Sequence, residues 1–364
     1  MKSETLQHIW YDSGTSRYHL LPVLKTLSLP YRSAVGLKNG LYDRGMKRTV
    51  KLPCPVISIG NLTVGGTGKT PMVITLAKLL LDRKRHPAVL SRGYGGSSGV
   101  DACIVSDGYK MMKGFRETGE EALLIAESLP GVPVITGADR VKTGSAALRH
   151  FSPDVLILDD GFQHRRLQRD LDIVLVDADR PLGNGWLLPA GPLREPIASL
   201  QRAHVVIRTG PGQVAGENSN GSEAIFRKAG FTGTVLRGVH KPRTLVHGPG
   251  KEIFPLDAIR GEKVAVFAGI GRPEHFRKTI AELGAEITTL IPYPDHHIYR
   301  EEDLKKIEES RLHSGALWIV TTQKDEVKLR GFETFLQRIL VLNIEMDLIP
   351  DSNILEHRVL LALH

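Results

Sequence analysis

The spacing of hydrophobic positions changes along the chain, and each change predicts a different kind of structure. Between Leu20 and Tyr42 the apolar residues recur at helical intervals, in one set of Leu20, Leu21, Val23, Leu24 and Leu27 and another of Tyr31, Ala34, Val35, Leu41 and Tyr42. Pro30 lies between the sets, and without an amide hydrogen it is expected to separate or kink two short helices. From Pro55 onward short apolar runs alternate with amphipathic stretches. Strands are expected at 55–59, 86–90, 102–106, 132–136, 155–159, 172–177 and 204–208, and helices at 70–83, 118–129 and 138–150. Strands alternating with helices of this length imply an α/β fold on a doubly wound, mostly parallel sheet. The stretch "GPGQVAGENSNGSEA" (210–224) is poor in hydrophobes and reads as a flexible loop or boundary. Beyond it come hairpin-like content at 225–247, strands near 263–269, 286–291, 317–322 and 338–345, and helices near 273–283, 301–310 and 352–363. The expected division is an N-terminal amphipathic segment (1–50), a larger α/β domain (51–212) and a smaller one (213–364).

With 364 residues, 41% of them hydrophobic, the chain can bury an ordinary core. Its apolar runs, such as "VAVFAGI" (264–270), fall far short of the roughly 20 residues that cross a bilayer. The first 15 residues lack the apolar stretch of a secretory signal, so a cytoplasmic protein is expected. Cys54 and Cys103 form neither a disulfide framework nor a metal knuckle. The net charge of +8 favours anionic partners, and position narrows the choice. Between Ser16 and Lys51 there are eight Lys/Arg against one acid, Asp43. Cations beside an apolar stripe suit a helix lying on an anionic bilayer; the alternative is a helix packed on its own domain.

The run "VISIGNLTVGGTGKTP" (56–71) is a strand pattern entering a glycine-rich turn and then a helix. Such a turn points backbone N–H groups inward as an anion nest, and the helix N-terminus adds partial positive charge. The strict phosphate-loop pattern puts Thr63 where its first glycine belongs, and Gly60, Gly65 and Gly66 are expected to compensate. On this reading Gly65, Gly66, Thr67, Gly68, Lys69 and Thr70 hold a triphosphate, with Lys69 on its terminal phosphates and Thr70 on a magnesium ion. The alternative is a glycine turn with an exposed lysine. A further carboxylate for the metal is expected at a neighbouring strand end, where "DVLILDDGFQH" (154–164) supplies Asp159 and Asp160. Side chains alternate along a strand, so only one of the two need face the metal.

In order along the chain, "SIGNLTVGGTGKTP", "SRGYGG" (91–96), "LILDDGFQHRRL" (156–167), "LPAGPLRE" (188–195), "GIGRPEHF" (269–276), "YPDHH" (293–297) and "TTQKDEVKL" (321–329) resemble a known motif series. It is that of the bacterial lipid A 4'-kinases, also called tetraacyldisaccharide 4'-kinases. The resemblance implies a P-loop NTPase-like enzyme, peripheral on the cytoplasmic face of the inner membrane. It would transfer the γ-phosphate of ATP, with Mg2+, to the 4'-hydroxyl of an acylated glucosamine disaccharide 1-phosphate. It also implies a smaller C-terminal domain joined through a hairpin, and an N-terminal helical segment on the bilayer. The family shares the spelling around Thr63.

Carried over by residue, Lys69 and Thr70 bind phosphates and magnesium, and Asp159 and Asp160 complete the metal site. The family's acceptor-activating pair is an acid in a Gly-Asp-Glu motif and a histidine in an Asp-His motif. The second matches Asp295-His296, with His297 adjacent, and the first reads Gly119-Glu120-Glu121. Glu in place of Asp asks the base to shift by about 1.5 Å. Arg92, Arg140 and Arg194, with Gln163 and His164, are expected to grip ATP or the acceptor's 1-phosphate. "TTQKDE" would face the nucleotide base on domain closure. Neither a protein partner nor nucleic acid is expected, and the chain is expected to be a monomer. Two other readings are an ATPase binding nucleic acid through the basic N-terminus, which lacks interleaved aromatics, and a GTP switch or metallochaperone, which lacks Asn-Lys-x-Asp.

Overall fold

The computed structural model describes residues 9–11, 20–93, 101–211, 219–248, 250–349 and 352–363. Residues 94–96 of "SRGYGG", most of the first 19 residues and the boundary stretch 212–218 lie outside the described residues. The strands are β1 (Val56–Asn61), β2 (Pro87–Ser91), β3 (Cys103–Ser106), β4 (Val134–Thr136), β5 (Val155–Asp159), β6 (Leu171–Asp177) and β7 (Val205–Pro211). Then come β8 (Thr234–His247), β9 (Glu252–Phe254), β10 (Lys263–Ala268), β11 (Glu286–Pro292), β12 (Trp318–Thr322) and β13 (Ile339–Ile349). The principal helices are α1 (Leu21–Asp43), α2 (Lys69–Asp82), α3 (Glu120–Ser128), α4 (Arg140–Phe151), α5 (Ser219–Lys228), α6 (Pro273–Glu282), α7 (Glu301–Ser314) and α8 (Ser352–Ala362).

Among the described residues the 13 strands join in one sheet, ordered β11-β10-β12-β13-β8-β7-β6-β1-β5-β2-β4-β3, with β9 paired to β8. The first lobe is parallel apart from the edge strand β3. In the second lobe β11, β10, β12 and β13 are parallel. The seam is β8, parallel to β7 on one side and antiparallel to β13 on the other. Strands β1, β5 and β6 are buried along their whole length, as expected where helices cover both faces of a parallel sheet. Helix α2 lays Met72, Val73, Leu76, Ala77 and Leu80 on the first lobe, all fully buried at helical spacing. The last helix, α8, returns to that same core through Leu355 and Val359.

Three expectations change. Residues 21–43 form one helix that runs through Pro30 rather than two helices. Contacts on both sides of the proline offset its cost: the Ser28 hydroxyl donates to the Leu187 carbonyl at 3.0 Å and Tyr31 to the Arg194 carbonyl at 2.9 Å. Residues from Ser219 onward, read as loop, are helical in α5. The hairpin-like stretch 225–247 is the end of α5 followed by one long strand, whose hairpin partner β9 lies beyond it. Among the described residues no helix is long and apolar enough to cross a membrane.

Candidate active site

A cleft of about 820 Å³ lies between the two lobes, where the carboxyl ends of β1, β2, β5, β6 and β7 face the ends of β10 and β12. Open α/β sheets place ligands at such carboxyl ends. The floor is the glycine-rich turn. Thr63, at the position where the strict pattern has glycine, forms a β-bridge with Leu193, and Val64 donates to the Pro192 carbonyl at 2.8 Å. An extended, paired backbone needs no glycine there. The left-handed positions are instead Gly65 (φ +111°) and Gly68 (φ +82°), the latter capping α2. Asn61 donates to the Thr67 hydroxyl at 3.0 Å and Thr209 donates to the Thr67 carbonyl at 2.9 Å, so the turn is held from two strands.

Above the turn stand the two aspartates at the end of β5. Asp160 adopts φ +53° and turns both carboxylate oxygens to the Arg194 guanidinium, at 3.0 and 2.8 Å, with the Lys69 ammonium at 3.7 Å. Burial alone would raise its carboxyl, but Lys69 and Arg194 outweigh burial and hold it at about 2. Asp159 is buried and accepts from the Ser91 hydroxyl through Oδ2 at 2.8 Å, while its Oδ1 has no hydrogen-bond partner. Burial, then the charges of Glu121 and Asp160, push its carboxyl up to about 6. A buried carboxylate oxygen without a partner, in a cleft that Thr70 also lines, suits a hard divalent cation with oxygen ligands.

The same cleft carries a second charged cluster. Glu120 begins α3 in the first lobe, while Asp295 and His296 sit on the loop after β11 in the second. His296 Nδ1 lies 2.7 Å from Glu120 Oε1, and its backbone is left-handed at φ +64°, an outlier for a residue with a Cβ. The Lys324 ammonium lies 3.0 Å from Glu120, 3.4 Å from Glu121 and 3.2 Å from Asp295. Lys328 reaches Glu120 Oε2 at 3.5 Å. Burial would raise the Glu120 carboxyl, but His296, Lys324 and Lys328 hold it at about 2. The bond to Glu120 in turn raises His296 above its ordinary 6.5, against burial. Glu120, Asp295 and His296 place ligand atoms within 4.8 Å of one another, a spacing that would admit a cation, but Lys324 already supplies one to two of them.

The remaining sequence candidates divide by position. Arg92, Gln163, His164 and Arg194 line the cleft. Burial, then Arg140, lower His164 to about 4, so it is a neutral hydrogen-bonding group. Arg140 is buried behind the wall, its guanidinium donating to the carbonyls of Gly137 and, at 3.4 Å, Asp159. His297 turns away from His296 to pair with Asp303 at 3.0 Å and stack on Tyr293. Thr322, Gln323 and Lys324 of "TTQKDE" line the cleft, and Lys324 meets the Glu120 cluster. Neither Lys324 nor Lys328 was singled out by residue type, because lysines outside the glycine-rich turn carry no spacing signature.

The sequence profile of the family described as tetraacyldisaccharide-1-P 4'-kinase matches residues 20–364. The tetraacyldisaccharide 4'-kinase of Syntrophus aciditrophicus (strain SB) is 48% identical over 369 residues, covering 98% of this chain and 97% of the relative. That of Geobacter metallireducens is 42% identical over 329 residues, covering 90% and 94%. A crystal structure of LpxK from Aquifex aeolicus in complex with ATP is 34% identical and superposes with a TM-score of 0.75, covering 96% of this chain and 99% of that one.

Proposed function

The chain belongs to the tetraacyldisaccharide-1-P 4'-kinase family and is a kinase of lipid A biosynthesis, and on that premise we propose how its cleft performs the transfer. The glycine-rich turn and Lys69 bind the ATP phosphates. Asp159 and Thr70 would hold a magnesium ion, which when bound neutralises phosphate charge. Asp160 acts through Lys69 and Arg194, fixing both cations beside the phosphates. The 4'-hydroxyl of the acceptor lies against His296, and the Glu120–His296 pair takes up its proton as the phosphoryl group moves. Glu120 at about 2 is too weak a base to keep a proton near neutrality, so the proton rests on the imidazole, which Glu120 orients. Arg92, Gln163, His164 and Arg194 are the groups available to the acceptor's 1-phosphate and sugar.

The observation that carries this reading is the Glu120–His296 contact, whose imidazole lines the same cleft as Lys69 and Asp160. The two lobes act as the kinase domain and its smaller partner domain. Helix α1 leaves Val23, Leu27 and Leu37 exposed in one stripe, with Leu20 at its N-cap, while Lys25 on the far side stacks on Trp186 at 4.4 Å. An exposed apolar stripe on a helix that also carries Lys25, Arg32 and Lys38 fits a peripheral site on the cytoplasmic face of the inner membrane, where the acceptor's acyl chains remain. Incubating the protein with Mg-ATP and the acylated disaccharide 1-phosphate in micelles should yield the 4'-phosphate. Lys69→Ala and Asp159→Asn should abolish the product; an unchanged yield from Lys69→Ala would overturn the assignment.

A further inference from the structure

Lys324 is anchored more firmly than a surface lysine. It projects from a single turn, Gln323–Glu326, capped by the Thr322 hydroxyl, which accepts from the Asp325 amide at 3.1 Å. The turn is fixed on both sides. Asp325, fully buried, accepts from the Gly269 amide at 3.1 Å and the Tyr299 hydroxyl at 2.8 Å, and Gln323 accepts from the Ile344 amide at 3.1 Å. The ammonium therefore has a set position at the seam of the lobes. It ion-pairs with Glu120 and Glu121 of the first lobe and Asp295 of the second. Three carboxylates converging without it would repel one another, with Lys328 and His296 near Glu120 left to answer them.

We infer that Lys324 is a positioning residue for the transfer: by clasping Glu120 and Glu121 of one lobe to Asp295 of the other, it assembles the Glu120–His296 pair. The inference rests on the proposed role of that pair. Lys324 need not touch either substrate; it sets the distance between two groups carried by different lobes. Burial would lower its own ionisation, but Glu121, Asp295 and Glu120 outweigh burial, so the clasp stays charged across the physiological range. Arginine at this position would keep the charge and reach, whereas glutamine would keep only the length.

Steady-state kinetics on the full chain, with Mg-ATP and the acylated disaccharide 1-phosphate in micelles, test the role. Lys324→Gln should lower kcat by about 10- to 100-fold while the KM for ATP stays within about threefold, and Lys324→Arg should recover most of the loss. In a Glu120→Gln background the same change should cost less than about threefold, because the pair it assembles is already broken. An unaltered kcat in Lys324→Gln, or an equal loss in both backgrounds, overturns the inference. Hydrogen exchange reads the clasp without substrate: residues 119–123 and 293–298 should exchange about tenfold faster in Lys324→Gln and not in Lys324→Arg. Unchanged exchange overturns the clasp even if the wild type transfers no phosphate, whereas an inactive wild type with the expected exchange overturns only the kinase assignment.

Discussion

His296 Nδ1 and Glu120 Oε1 lie 2.7 Å apart although they belong to different lobes. The contact has a consequence for the pH dependence of transfer. A protonated imidazole cannot accept the proton of a hydroxyl, so activity is lost as pH falls through the pKa of His296, which Glu120 raises above 6.5. The acid limb of kcat/KM should therefore lie above pH 6.5 in the wild type. In Glu120→Gln it should move to lower pH while kcat falls by about 100-fold or more. An acid limb unmoved by Glu120→Gln would remove His296 from the proton-accepting role.

The same pair predicts an opposite trend in stability. His296 is raised on folding, so its contribution is present below 6.5 and is lost as pH rises through the folded value. Glu120 is depressed from 4.5 to about 2, so its contribution is present above 4.5 and is lost as pH falls toward 2. The stability gap between wild type and His296→Gln should thus be widest between pH 4.5 and 6.5 and narrow on either side. Urea midpoints across that range measure it. Stability from the pair peaks where its catalytic use is least.

Local chemistry made some of this legible in the sequence, and long-range pairing hid the rest. Gly65, Gly68, Lys69 and Thr70 are contiguous, so their spacing alone announces a phosphate turn. Asp159 follows a run of apolar residues that can only be a buried strand, and it lies where that strand ends. Residues 225–247 misled because their alternation suits a hairpin within the stretch, whereas β8 runs unbroken between β7 and the sequence-distant β13 and meets its hairpin partner β9 only beyond residue 247. Pro30 misled because the hydrogen bonds that stabilise an unbroken α1 come from Leu187 and Arg194, outside any local window. Lys324 was invisible for the same reason: nothing within "TTQKDE" tells which carboxylates it will meet.

Deleting α1 would strip Tyr31, Val35 and Lys38 from the cleft, so truncation cannot isolate membrane contact from catalysis. Charged substitutions on the exposed stripe can. Val23→Asp with Leu27→Asp, at positions 57% and 54% exposed, should leave the fold intact because neither side chain is packed. Sedimentation with anionic vesicles should fall by about tenfold, and wild-type binding should itself weaken as salt shortens the Debye length below about 10 Å. Equal sedimentation by the double variant would place the membrane surface elsewhere.

Gly68 shows why the turn tolerates Thr63 but not a side chain five positions later. A Cβ at Gly68 would lie 2.6 Å from His240 Nε2 and 2.9 Å from Met346 Cε, on a backbone of φ +82°. The left-handed conformation alone costs roughly 1–2 kcal/mol for a residue with a Cβ. Since Gly68 caps α2, the strain displaces the amides and Lys69 together. Gly68→Ala should weaken ATP binding, measured by calorimetry, by well over the roughly tenfold that 1.4 kcal/mol represents, while the thermal midpoint shifts only a few degrees.

Asp325 is the buried charge on which the second lobe's half of the site depends. Its carboxylate is fully buried, accepts from the Gly269 amide, Tyr299 and Thr322, and pairs with Lys328 at 2.8 Å. Removing one partner of such a network leaves the other buried and unpaired, which costs about 3–5 kcal/mol. Here the orphan is Lys328, itself nearly inaccessible, with Glu120 Oε2 at 3.5 Å as its remaining carboxylate. Asp325→Ala should therefore unfold at a much lower urea concentration than the wild type. Asp325→Ala combined with Lys328→Met should recover part of that loss, because the pair is then replaced rather than broken. The double variant should still transfer phosphate poorly, since Glu120 has lost one of the cations that keep it ionised. Stability without activity in the double variant separates the structural role of the buried pair from its role at Glu120.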